Sequence, residues 1–464
     1  MKMLKVINPY SQKEIKSIPI ENWDSVEKKL ATAYKLFSER DRWLPAYERI
    51  EILERTQAIM QKRAEELTIL AASEGGKPYI DSQVEVNRAI NGVKLAIANI
   101  GQLKGEQVPL GQTRSSVNRI AFTMREPIGV VVSISAFNHP LNLIIHQIIP
   151  AIASGAPVII KPASTTPLSC LAFIDILREA GLPEEYCQVV ICNRESAEKL
   201  VTDPRVNYFS FIGSAEVGWN LRSKLAAGTR CALEHGGVAP VIVGGDVDLY
   251  EIVPGLLKGA FYHAGQVCVS VQKIFANELI ARKLAEMMAE KASKLIVGNP
   301  LAKTTEVGPL ILPEEVDRVE NWVNEATEMG AELLCGGKRI SEVCYEPTVL
   351  FNSPENAIVS QKEIFGPVVC IYPYQERQKA IDLANSLPYA FQAAVYTNNI
   401  DIALDTVKRL NASAVMVNDH TAFRVDWMPF GGRDASGIGV GGIPFSMHEM
   451  TREKLVVIKS EGLT

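Results

Sequence analysis

Three side chains stand in settings that could carry chemistry. Cys268 lies in "GQVCVSVQ", directly after a glycine-led turn and ahead of a β-branched run that reads as a strand. Glu234 ends the apolar strand of "LEHGG", just before two glycines that let a ligand or another chain segment approach closely. Asn138 sits in "SAFNHPLNL", where a strand gives way to a helix. A cysteine thiolate is the most capable side-chain nucleophile near neutral pH. A carboxylate in apolar surroundings is paired or raised in pKa, and a raised pKa suits a general base. An asparagine amide can donate to a developing oxyanion. Taken singly, each residue also has an ordinary reading: a space-filling thiol, a salt-bridged carboxylate at a domain boundary, a helix cap.

The elements that must position these residues follow from hydrophobic periodicity. Val26, Leu30, Ala33 and Phe37 have helical spacing, and a longer helix is expected from about Pro45 into "LTILAASEGGKP", with Gly75, Gly76 and Pro78 as its stop. From residue 128 short apolar runs, "IGVVVSISA", "PVIIKP", "CQVVIC", "YFSFIG" and "CALEH", alternate with helical stretches. That alternation predicts βαβ units and a parallel sheet. The helix after "PVIIKP" has Thr166 as candidate N-cap, Pro167 at its first position and Gly181 at its end. A second α/β pattern starts after residue 239 with "APVIVGG", "SVQKIFAN", a helix from about Glu278 to Leu295, and "AAVYT". The final "REKLVVIKS" reads as a strand that needs a partner edge. A parallel sheet offers helix N-termini to phosphate, but the usual glycine fingerprint of a dinucleotide site is absent. In its place stands "FIGSAEVG", where Gly213 and Ser214 end a strand and Gly218 follows one helical turn later.

The 464 residues, 47% of them hydrophobic, are enough for two main domains and a small appendage. A formal net charge of −5 gives no basic footprint for nucleic acid or an anionic membrane, which leaves small-molecule chemistry as the expectation. The first twenty residues spread lysine, proline and glutamate through what would be the apolar core of a signal peptide, and no apolar run reaches a membrane span. Eight scattered cysteines form no CxxC pair. A reducing cytoplasm and no metal site are therefore expected.

Together, "SAFNHP", "IIKPAS", "FIGSAEVG", "LEHGG", "GQVC", "EIFGPV" and "PFGGRDASGIG" occur in the order and approximate spacing of the aldehyde dehydrogenase superfamily, which the chain resembles over essentially its whole length. Glu234 and Cys268 are 34 positions apart, as that family's general base and nucleophile are. The resemblance implies an α/β fold with a parallel-sheet cofactor domain (1–109 and 128–236), an α/β catalytic domain (237–436) and a small β oligomerisation arm (110–127 and 437–464). It implies Cys268 as nucleophile, Asn138 with the Cys268 N–H as oxyanion hole, and Glu234 as the base that activates water against a thioester. For NAD or NADP it implies Lys161 and Ser164 at the adenosine ribose, Gly213 and Ser214 by the pyrophosphate, and Glu363 with Phe365 at the nicotinamide half. Ser164 stands where NAD-preferring relatives often carry a glutamate that repels a 2′-phosphate, so NADP is expected to be accepted. A homodimer or homotetramer is expected from the arm.

Departures from the family pattern bear on the substrate. Phe137 and His139 flank the asparagine where bulky aromatics are common, and His235 replaces a common leucine and reads as a packed strand residue. His263, five residues before Cys268, is expected to point elsewhere rather than form a dyad. "NRAINGV", "NHPLNL" and "DHTAFRVDWMPF" look like the lactaldehyde and phosphonoacetaldehyde dehydrogenase branch, which places Arg88, His139 and Arg424 near the mouth of the substrate tunnel. Arginines there suit a polar or anionic tail. Val267, however, replaces the arginine of phosphonate- and phosphate-using relatives. The expectation is a small polar aldehyde such as lactaldehyde, glycolaldehyde or a short semialdehyde. The rivals are phosphonoacetaldehyde or a similar anionic aldehyde, a coenzyme-A-acylating enzyme, which generally lacks the base, and a catalytically dead relative, against which the intact Asn138, Glu234 and Cys268 argue. Arg88 as a surface helix charge and Arg424 as a loop salt bridge are the bland alternatives.

Overall fold

The computed structural model describes residues 2–463. Its first sheet has six strands in the order Gly437–Ile438, Arg230–Glu234, Val206–Ile212, Val130–Ile134, Val158–Lys161, Cys187–Val189, all parallel except the first. Both faces are covered, which explains the continuous apolar runs. Val131, Val158 and Ile160 face a core shared with the helices Ala46–Lys62, Tyr79–Ile100, Asn142–Ser154 and Leu168–Glu179. Val130, Val132 and Ile159 face the opposite core, against Trp23–Ser38 and Arg194–Thr202. The period of two along a strand divides its residues between two cores. The chain proceeds outward from Val130–Ile134 in one direction and then returns to its other side with Val206–Ile212. The order therefore reverses beside Val130–Ile134, and the carboxyl ends there carry Asn138 and Gly213–Ser214. A crevice at such a reversal is where open α/β sheets bind ligands.

The second sheet has seven strands in the order Glu332–Cys335, Thr348–Phe351, Val368–Tyr374, Lys273–Asn277, Val241–Val243, Gln392–Tyr396, Ala414–Val417, parallel except for the first. A third sheet stands apart: Thr451–Lys459 pairs antiparallel with Arg119–Pro127, which pairs with Gln107–Val108.

Several local expectations change in the structure. The long helix from residue 45 is two helices, Ala46–Lys62 and Ala64–Gly75, broken at Arg63 and stopped by Gly76 at φ +71°. Thr166 does not cap the helix that follows it; Pro167 occupies the cap, and the N–H groups of Leu168 and Ser169 donate to the buried Glu74 carboxylate at 2.6 and 2.7 Å. The predicted helix from Glu278 ends at Ala292, and the strand after Cys268 begins only at Lys273. Segment 437–450, assigned from the sequence to the arm, splits otherwise: Gly437–Ile438 edges the first sheet and the helix Ile443–Glu449 buries Ile443 and Met447 in the first core. Its apolar side chains have that core within reach, whereas the arm has none to offer. Gln107–Val108 joins the arm instead.

Candidate active site

Cys268 follows the helix Leu249–Phe261 and a short turn, Tyr262–Gly265. Gly265 adopts φ +70°, and a Cβ there would overlap the carbonyl of Gly366. Glycine is therefore required for the cysteine turn to pack against the "EIFGPV" segment. Asn138 Nδ2 donates to the carbonyl of Gln266 at 2.9 Å, which ties the end of the strand Val130–Ile134 to that turn and leaves one amide hydrogen free. The Cys268 N–H has no protein acceptor among the described residues. Behind Asn138, the N–H groups of Leu141 and Asn142 donate to Glu85, and Glu85 is paired with a fully buried Lys77. This support for the Asn138 loop comes from the helix Tyr79–Ile100, on which the sequence reading singled out Arg88 and passed over Glu85.

Cys268, Glu234 and Asn138 line one cavity of about 460 Å³. Burial, and after it the Glu234 carboxylate, push the Cys268 thiol above its ordinary range, while Arg424 acts the other way. Burial raises Glu234 and Arg424 opposes that rise. Their closest approach, Nη1 to Oε1, is 3.9 Å, too long for a hydrogen bond, so the pair interacts through charge alone. Arg424 also lies over the Phe430 ring, 3.5 Å from its centroid.

Gly213, Ser214, Glu363 and Phe365 line the same cavity. A Cβ on Gly236 would collide with the Glu363 carboxylate, which accepts from the Gly237 N–H at 3.2 Å; the glycine pair after Glu234 thus admits Glu363. Burial pushes Glu363 up to about 8. Phe365 sits at φ +48°, a costly conformation for a bulky residue, and meets Phe137 edge-on at 5.9 Å. Lys161 and Ser164 line a second cavity, of about 110 Å³, and Ala163 lines both. No carboxylate pairs with the Lys161 amino group among the described residues; its one contact is the Pro162 carbonyl at 3.4 Å. Two cavities that share Ala163 in their linings, one with an unpaired ammonium and a hydroxyl, the other reaching the thiol, fit an elongated dinucleotide.

The three residues expected at the tunnel mouth also line the larger cavity, in unequal states. Arg88 is neither a surface charge nor free: Nε and Nη2 donate to Asp426 at 3.1 and 2.6 Å. His139 is buried and shares a 3.2 Å hydrogen bond with the Tyr262 hydroxyl, and burial keeps it neutral. Arg424 has no bidentate partner. His235 packs between Phe211 and Trp219 with Nδ1 2.8 Å from the Gly213 carbonyl. His263 is fully buried and does not line the cavity. Sequence reading passed over Asp426, although it stands in the quoted "DHTAFRVDWMPF"; an aspartate two residues from an arginine was the available signal.

The family profile described as "Aldehyde dehydrogenase family" matches residues 1–456. The chain belongs to the aldehyde dehydrogenase family. A 3-sulfolactaldehyde dehydrogenase of Priestia aryabhattai is 38% identical over 457 residues, 98% of this chain and 94% of its own length. A lactaldehyde dehydrogenase of Methanocaldococcus jannaschii is 39% identical over 460 residues, 98% of this chain and 97% of its own. The crystal structure of the glyceraldehyde-3-phosphate dehydrogenase GapN from Methanocaldococcus jannaschii complexed with NADP superposes with a TM-score of 0.94 at 38% identity, covering 98% of this chain and 99% of that one. The enzyme is an NAD(P)-dependent oxidoreductase acting on aldehydes.

Proposed function

We propose that the enzyme oxidises a small aldehyde with a polar tail, of the lactaldehyde type, to the free carboxylic acid. The Cys268 thiolate attacks the aldehyde carbon, and the free Asn138 amide hydrogen and the Cys268 N–H receive the oxyanion. One such donor is worth about 3 kcal/mol in the transition state. Bound nicotinamide supplies the acceptor for the hydride that leaves as the adduct becomes a thioester. Glu234 takes one proton from water, whose oxygen attacks the thioester carbon; the C–S bond breaks, releasing the acid and the Cys268 thiolate. Lys161 and Ser164 hold the adenosine ribose, Gly213 and Ser214 the pyrophosphate, and Glu363 with Phe365 the nicotinamide half. Ser164 carries no charge to repel a 2′-phosphate, and Lys161 attracts one, so NADP is accepted. The intact base favours water over coenzyme A as the acyl acceptor.

The observation that carries the substrate reading is Arg424, a buried guanidinium lining the reaction chamber without a bidentate carboxylate partner. The names of the relatives support a three-carbon polar substrate and keep a phosphorylated one as the second reading. The test is kcat/KM for lactaldehyde, 3-sulfolactaldehyde, succinate semialdehyde, glyceraldehyde 3-phosphate and hexanal, with NAD or NADP and with or without coenzyme A. Polar aldehydes are expected to lead, and Arg424→Ala to remove that lead. A preference for hexanal that persists in the variant overturns the reading. NADP turnover below a few per cent of the NAD rate overturns the argument from Ser164. A homo-oligomer and a cytoplasmic location complete the proposal: the exposed sheet Arg119–Pro127 with Thr451–Lys459 supports the first, and eight free cysteines support the second.

A further inference from the structure

Two guanidiniums line the aldehyde chamber, but their charges are not equally available. Arg88 commits Nε and Nη2 to Asp426. Asp426 is 2% exposed and also receives His146 Nε2 at 2.8 Å and Asn142 Nδ2 at 3.5 Å. Burial would raise its carboxyl, yet the hydrogen bonds from His146 and Arg88 and the Arg88 charge hold it well below the usual carboxylate range. Burial brings His146 down to about 4, so at neutral pH it is uncharged and Arg88 is the cation hydrogen-bonded to Asp426. The Asp426 carbonyl further accepts the Ile443 N–H at 2.9 Å, anchoring the loop that carries Arg424 two residues earlier.

We propose that Asp426 is a specificity-determining positioning residue. It closes Arg88 into an ion pair and leaves Arg424 as the cation offered to a substrate tail, which sets the preference at a hydroxyl or a single negative charge over a dianionic phosphate. This inference rests on the reading of the chamber as one for polar-tailed aldehydes. Asp426 occupies the Nε–Nη2 edge of Arg88 and compensates its charge, so the remaining Arg88 donors reach the chamber with little net positive charge to hold a dianion.

The experiment compares kcat/KM for glyceraldehyde 3-phosphate with that for lactaldehyde at pH 8, where the phosphate is doubly ionised. In Asp426→Asn the ratio is expected to rise about tenfold or more, chiefly through KM for the phosphorylated substrate, because the Arg88 charge is no longer compensated. That gain is expected to vanish when Arg88→Gln is added. Arg88→Gln alone gives a second measure that does not depend on the folding of Asp426→Asn: with the Asp426 charge left unneutralised behind the lining residues, the ratio falls below wild type. General damage to the fold lowers both rate constants and leaves their ratio in place. A ratio unmoved in both single variants, or a gain that survives loss of Arg88, overturns this proposal alone. A wild-type preference for hexanal over both substrates overturns the chamber reading and this proposal with it.

Discussion

Cys268 works against its surroundings, since burial and the Glu234 charge favour the neutral thiol and Arg424 is the one side-chain charge that draws it toward thiolate. The sign of each effect is testable without turnover. Removing the anion in Glu234→Gln is expected to move the pH profile of Cys268 alkylation by iodoacetamide to lower pH, and removing the cation in Arg424→Gln to move it to higher pH. Identical profiles in all three proteins would disprove the coupling. In catalysis, Cys268→Ala is expected to abolish aldehyde oxidation while cofactor binding, followed by fluorescence titration, persists. Glu234→Gln is expected to give one burst of reduced cofactor and then a steady-state rate lower by about 10²- to 10⁴-fold, because only the proton acceptor for water is lost. Rapid-mixing kinetics that show slow first turnover instead would place the base elsewhere.

Single elements owe their placement to polar residues from distant parts of the chain. The helix Leu168–Glu179 starts on Glu74, 94 positions before the first N–H it accepts. Burial pushes that carboxyl up to about 7. Glu74→Ala removes the acceptor for two buried N–H groups and is expected to destabilise the protein by about 1–3 kcal/mol, read as a lower thermal midpoint at matched cofactor concentration. The segment with Glu363 and Phe365 is held in the same manner by Gln272, whose Nε2 donates to Lys362 at 2.7 Å and whose Oε1 accepts from Ile364 at 2.8 Å. A residue just ahead of the second sheet's strand Lys273–Asn277 thus positions the two groups proposed to grip the nicotinamide half.

The two large sheets bring their edges and loops to one cavity, and the third sheet takes no part in it. Among the described residues no helix is long and apolar enough to cross a membrane. The arm nevertheless exposes Leu455, Val457 and Ile458 on one strand and Ile120 and Met124 on its neighbour. Apolar side chains exposed on both faces of a thin sheet are an interface motif when they stand together. Replacing Leu455 and Val457 with lysine is expected to yield monomers with the fold retained, checked by sedimentation velocity and circular dichroism. An unchanged sedimentation coefficient would remove the arm from the interface.

The sequence by itself determined the fold class and pointed to the residues proposed for the reaction. Both are written in short contiguous strings: apolar runs alternating with helical stretches, a cysteine behind a glycine turn, a glutamate ahead of two glycines. In such strings the local backbone demands particular residue types, so the type reveals the role. Partnership was decided only by the tertiary structure. Arg88 and Asp426 are 338 positions apart, and nothing local distinguishes that carboxylate from the other acidic residues as the one that closes the arginine's fork. The same holds for Glu74 on its helix, for Glu85 beneath Asn138, and for segment 437–450, which the packing of Ile443 and Met447 draws into the first core. Charge pairing and burial depend on distance in space, and the order of residues along the chain does not encode that distance.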